Sequence, residues 1–183
     1  MKGDGTTDVQ TLTVPRLSRS TVVVKDKLGQ ADDVAHDFSA MVQSLNDTPL
    51  VVERPTYDNF RGMWTGGHDV IGASYPASAY NFAEGTCRPG FDAYITIHNP
   101  GSGDAKVKVT YLTGDGATKT QVITIAANSR GTVHPSDILG VGDDVAHDFS
   151  VKLECTNGRT IVAERPMYFN FKGWTGASCV VGY

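Results

Sequence analysis

Two stretches of this chain set imidazole and carboxylate groups side by side. Asp32-Asp33-Val34-Ala35-His36-Asp37-Phe38-Ser39 recurs letter for letter as Asp143 to Ser150. His36 with Asp37, and His147 with Asp148, supply the donors that bind zinc or act as a general base. Successive residues of an extended chain point to opposite faces, so His36 and Asp37 would not converge on one metal. Aspartates placed before a strand also accept hydrogen bonds from nearby backbone N–H groups, and a motif repeated in this way favours that scaffold use. A second candidate is His68-Asp69, which follows Trp64-Thr65-Gly66-Gly67, read as a flexible turn with an aromatic anchor. It could join His36, or a histidine of a second copy of the chain, in a zinc site at an interface. Cys179, if free and near His147, would be a further ligand or a nucleophile. The sequence contains no HExxH, CxxC or nucleophile-elbow pattern to force these groups together.

The elements that must position these residues are duplicated. Residues 3–62 align without a gap onto residues 114–173, and roughly half of the pairs are identical. Glu53-Arg54-Pro55 returns as Glu164-Arg165-Pro166, and Trp64-Thr65-Gly66 as Trp174-Thr175-Gly176. A fixed offset means two copies of one unit, about 111 residues long. The second copy has an upstream part, from about Tyr80 to Tyr111, that the first lacks, and Met1 aligns with Leu112 at the end of a strand-like run. The chain therefore reads as a piece of a longer repeat protein. The expected division is a partial repeat at 1–74, a linker at 75–79 and a complete repeat at 80–183.

Short valine- and threonine-rich runs separated by turns predict strands. In the first copy these are Val9 to Val14, Thr21 to Lys25, Phe38 to Ser44 and Leu50 to Arg54. In the second they are Tyr94 to Ile97, Lys106 to Tyr111, Gln121 to Ile125, Ser150 to Cys155 and Thr160 to Ala163. Asn157-Gly158 predicts a tight hairpin. Ser136 to Leu139 predicts one helical turn, capped by Ser136 or Asp137 and ended by Gly140. Glu53-Arg54-Pro55 and its repeat read as strand ends, with proline stopping the ladder. The spacing predicts an all-β fold: immunoglobulin-like antiparallel β-sandwich repeats. Half a sandwich leaves strand edges open, so the first copy is expected to be completed in trans by a homo-oligomer or strand exchange.

The remaining composition excludes several classes. A net charge of −4 provides no basic stripe for nucleic acid. No apolar run is long enough for a membrane span. Cys155 falls on the apolar face of its strand, and the copy without the Cys87 segment also lacks a cysteine at the Cys155 position. The simplest reading is a Cys87–Cys155 disulfide with Cys179 free, in an oxidising compartment; the alternative is three unrelated thiols. Gly-Asp-Gly turns could offer oxygens to calcium, but no EF-hand pattern accompanies them, so turn chemistry is the better reading. Tyr57, Phe60, Trp64, Tyr168, Phe171 and Trp174 cluster late in each unit, as a glycan-stacking surface or as packing.

Tyr80-Asn81-Phe82-Ala83-Glu84-Gly85-Thr86, Arg88-Pro89-Gly90-Phe91, Asn99-Pro100-Gly101, Val162 to Tyr168 and Trp64-Thr65-Gly66-Gly67-His68 form one recognisable constellation. Together they resemble tandem β-sandwich repeats of large secreted or surface-attached bacterial proteins. The resemblance implies an extracellular or cell-surface modular protein and no established reaction. The second copy departs from the pattern at Ala177-Ser178-Cys179, so a role tied to His68 or Asp69 would be absent there. The expectation is a structural or adhesion module without catalysis that associates with itself through strand edges. Two alternatives stand beside it: a zinc-dependent hydrolase of ester or phosphoester bonds, and a glycan-binding module.

Overall fold

Alternating apolar residues in the second copy close a core between two antiparallel sheets. The computed structural model describes residues 1–183 except Asp32, with Phe60 described through its backbone alone. In chain order the elements are α1 (Lys25–Leu28), β1 (Glu53–Phe60), β2 (Trp64–Ile71), β3 (Ala79–Thr86), β4 (Phe91–Ala93) and β5 (Ile95–Asn99). Then come β6 (Ala105–Thr113), β7 (Thr118–Ile125), β8 (Ser129–Val133) and α2 (Ser136–Leu139). A 3-10 turn at Val145–His147 leads into β9 (Asp148–Cys155), β10 (Val162–Phe171) and β11 (Trp174–Val181). One sheet runs β3-β9-β6-β7; the other runs β11-β10-β5-β8, with β4 also on β10. Val107, Val109 and Tyr111 of β6 and Val151 and Leu153 of β9 join Ile95, Ile97, Ile161 and Ala163 in the core. Lys106 and Lys152, at the alternate positions, face water. Each buried isoleucine or leucine contributes about 1.5–3 kcal/mol. The arrangement is all-β and antiparallel, and it fits a β-sandwich.

The first copy forms almost none of this, for a reason of pairing. Residues 7–14, 18–22 and 37–44 align with β7, β8 and β9. In the second copy β7 pairs with β6, β8 with β5, and β9 with β3 and β6. Within these 183 residues the first copy has no counterpart of β3, β4, β5 or most of β6. β10–β11 is the one pair whose two members both recur, and it recurs as β1–β2 in the same register. Phe60 lies opposite Trp64 as Phe171 lies opposite Trp174. The last two residues of the β6 equivalent survive as Met1 and Lys2, and Lys2 bridges Phe38 just as Thr113 pairs with Phe149. The expected strands at Val9–Val14, Thr21–Lys25 and Phe38–Ser44 are therefore not strands here. Their apolar side chains stay exposed, among them Val9, Leu12, Met41 and Val42.

Three local expectations are corrected. Asn157-Gly158 is a turn but not a hairpin, because β9 and β10 belong to different sheets. The Asn157 side chain bonds Lys106 and Asp104, pinning the crossing. Pro55 and Pro166 lie inside β1 and β10 rather than ending them. Pro166 sits where the partner of β10 changes from β5 to β4, so its missing N–H costs no ladder bond there. The helical turn α2 follows Pro135 without a side-chain cap, and Gly140 ends it at φ 82°.

Candidate functional site

The repeated Asp-His motif builds the same local turn twice. Asp144 Oδ1 accepts from Ala146 N at 2.9 Å and lies 2.8 Å from His147 Nδ1. Asp33 Oδ1 does the same with Ala35 N at 2.9 Å and His36 Nδ1 at 2.7 Å. Each ring packs on the glycine that ends the preceding helical turn, Gly29 or Gly140. Asp32, the first residue of the motif, lies outside the described residues. The next carboxylates diverge. Asp148 accepts two bonds from Arg88, at 2.9 and 2.6 Å, and one from Thr86. The Arg88 guanidinium holds the Asp148 carboxyl below its ordinary range. The first copy has no equivalent of Arg88, and Asp37 instead reaches Arg130 of β8 at 2.9 Å.

That ion pair is one of several through which the first copy lies on the second. His98 Nε2 is 2.9 Å from Met1 Sδ, Arg54 pairs with Glu164 at 2.9 Å, and Arg61 with Asp92 at 3.4 Å. Trp64 to Gly67 is strand, not a flexible turn, and its glycines serve close approach. A Cβ at Gly66 would stand 2.7 Å from Ala177 N and 2.9 Å from Gly176 Cα. The inner face of the hairpin carries Arg54, Thr56, Asp58, Gly66, His68 and Val70, which share one face by register. Both Asp58 oxygens and His68 Nδ1 are buried there without a hydrogen-bond partner among the described residues. Burial raises the Asp58 carboxyl, opposed by His68. Burial, then Arg54, lowers the His68 imidazole. Asp69, one residue on, points to the exposed face.

The cysteines are three free thiols, and the expected Cys87–Cys155 bridge is corrected. Cys87 N bonds His147 O, while Cys155 N bonds Ser78 O, so the two stand at opposite ends of β9. Eight residues of strand separate those ends by about 26 Å at ~3.3 Å per residue, and a disulfide needs Cα atoms within about 7 Å. Cys179 is buried beneath the hairpin, 3.7 Å from Arg54 and 3.8 Å from Glu164. Burial, then Glu164, pushes its thiol up to about 12, and burial does the same to Cys87. Neither is an activated nucleophile. Among the described residues no three His, Cys, Asp or Glu side chains group so as to hold a metal. His36, His68, Asp69, His147 and Cys179 are thus not gathered into one site among the described residues.

One cluster escaped the sequence reading. Asp92, buried on β4, accepts from Tyr94 Oη at 3.0 Å and lies 2.6 Å from His134 Nε2. The His134 ring stacks on Tyr94 with centroids 4.6 Å apart. Ser136 Oγ completes an Asp-His-Ser set, but it stands 3.1 Å from Nδ1 and 3.0 Å from Nε2. The two ring lone-pair directions diverge, so an oxygen equidistant from both nitrogens is aligned with neither. Asp137 lies 3.3 Å from the same Nδ1. This is not the geometry in which a histidine takes a serine proton. The cluster lines a cleft of about 230 Å³ together with Arg61, Trp64, Cys87 and Phe91. Its one sequence signal was divergence between copies, since Val23 and Lys25 stand where the second copy has His134 and Ser136.

No protein-family model matches the chain, and no curated protein matches it. Among solved structures, a crystal structure from Thermotoga maritima, "Thermotoga maritima 1070", is similar at a TM-score of 0.51 and 18% identity. The match covers 59% of this chain and 94% of that one. The Anabaena sensory rhodopsin transducer is similar at a TM-score of 0.42 and 21% identity, over 51% of this chain and 91% of that one. The first likeness, at this identity, shows the fold alone. No helix among the described residues is long and apolar enough to cross a membrane.

Proposed function

We propose that the chain is a structural or adhesion module of immunoglobulin-like sandwich repeats, without catalysis, which associates with other copies through β-strand edges. One observation carries the reading. Residues 9–14 and 38–44 align with β7 and β9 yet hold Leu12 and Val42 exposed, at the positions of half-buried Ile123 and buried Leu153. Segments with open backbone edges and wet apolar faces pair with whatever strand is offered. The partners that β7 and β9 use are of the β3-to-β6 kind; in a second copy of this chain β5 and β6 are paired on both sides, and β7 and β8 are among the sheet-end strands it offers. A placement outside the cell rests on the resemblance to tandem bacterial surface repeats, now without support from a disulfide. Size-exclusion chromatography with light scattering tests the association. At micromolar concentration the mass is expected at a multiple of 19.6 kDa. A single species at 19.6 kDa across that range would refute it.

A further inference from the structure

We propose that the cleft between the β1–β2 hairpin and the second copy binds one neutral sugar ring, a site beyond the structural role above. Its volume of about 230 Å³ falls below the roughly 300–1,000 Å³ of sites for drug-sized ligands, so the occupant is small. Trp64 from the hairpin and Phe91 from β4 line it with aromatic surface, against which the C–H face of a sugar packs. Asp92, Arg61, His134 and Ser136 add acceptors and donors within the same small volume. Sugar hydroxyls both donate and accept, and this mixture answers both. Asp92 accepts from Tyr94, faces His134 and pairs with Arg61, and since a carboxylate has about four acceptor positions one is left for a hydroxyl. Arg61 stands 3.4 Å from Asp92, so the central charges offset each other and the cleft has no excess sign to favour an ion. The stacked Tyr94–His134 pair, held by Asp92, sets the polar groups in place before a ligand arrives.

The site takes its wall from one copy and its floor from the other. Trp174, the repeat of Trp64, is 77% exposed and is not among the residues that line this cleft, which makes it the control. Saturation-transfer NMR with glucose, galactose, mannose and N-acetylglucosamine, each at millimolar concentration, tests the proposal, with glucuronate and inorganic phosphate as charged probes. Transfer to at least one neutral sugar is expected. Trp64→Ala and Ser136→Ala should each weaken it about tenfold, while Trp174→Ala leaves it unchanged. Should Trp64→Ala undock the hairpin, Ser136→Ala on the half-buried rim decides the matter. Transfer to none of the four sugars, or to the charged probes alone, overturns the proposal. Transfer that survives both Trp64→Ala and Ser136→Ala also overturns it. Each result is independent of the oligomeric mass, so this site and the structural reading fail separately.

Discussion

Gly66→Ala is the sharpest probe of how the hairpin sits on the second copy. The added methyl would lie 2.7 Å from Ala177 N, 2.9 Å from Gly176 Cα and 3.0 Å from Gly176 C. All three are backbone atoms, so no side chain can swing aside and β2 must lift as a whole. Overpacking of this kind costs about 1–3 kcal/mol, which raises the undocked population by about 5- to 150-fold. Cys179, 8% exposed beneath β2, reports that population. While docked, its thiol is pushed up from the ordinary 9.0 to about 12, leaving about a thousandfold less thiolate near pH 8. Alkylation therefore proceeds through the undocked state, and its rate follows the opening. Iodoacetamide labelling read by peptide mass spectrometry, with half-buried Cys155 as the internal reference, should show Cys179 about 5- to 150-fold faster in Gly66→Ala. Gly72→Ala is the control, since its Cβ would make an ordinary 3.7 Å contact with Val52 O. An unchanged Cys179 rate in Gly66→Ala would refute the docking argument.

Further outcomes follow from the same geometry. Leu153→Ala empties a fully buried position between the sheets and should cost about 2–5 kcal/mol in urea denaturation; a loss under about 1 kcal/mol contradicts the assigned core. Titration of the denatured, unreduced protein should find three thiols, and a single thiol would reinstate a disulfide. Acid should loosen the contact between copies. Burial, then the Met1 amine, holds His98 below 6.5, and burial, then Arg54, does the same to His68, whose other charged neighbours are Asp58, Glu164 and Asp69. A histidine lowered in the fold prefers its neutral form, so its stabilisation is present above about 6.5 and is lost as pH falls from there through the lowered folded value. Asp58, raised by burial, acts in the opposite sense nearer its ordinary 3.8. The urea midpoint should fall between pH 7 and about 5.5, and His68→Gln with His98→Gln should flatten the profile; an unaltered slope in the double variant counts against it.

The second copy's sheets were legible because Val107, Val109 and Tyr111 alternate with lysines and threonine, and alternation reports which face is buried. Alternation does not report position along a strand. It placed Cys155 on an inward face of β9 and left unseen that Cys87 sits at the other end. Strands β2 and β11 were hidden by Gly66, Gly67 and Gly176, which look like turn residues but serve close approach. The first-copy segments have strand sequences, but a strand is a pair, and their partners are absent from these residues. The cluster around Asp92 was out of reach because His134 is 42 residues away and meets it through the β5–β8 pairing.

The central claim is that residues 9–14 and 38–44 take strand partners from outside their own copy. Amide hydrogen exchange of the intact chain, followed by mass spectrometry as concentration rises, measures this directly. The account predicts protection in those two segments that grows with the assembled fraction, beside constant protection in β6 and β9. Exchange in both segments at the rate of an unstructured chain, unchanged from dilute to concentrated samples, would contradict it.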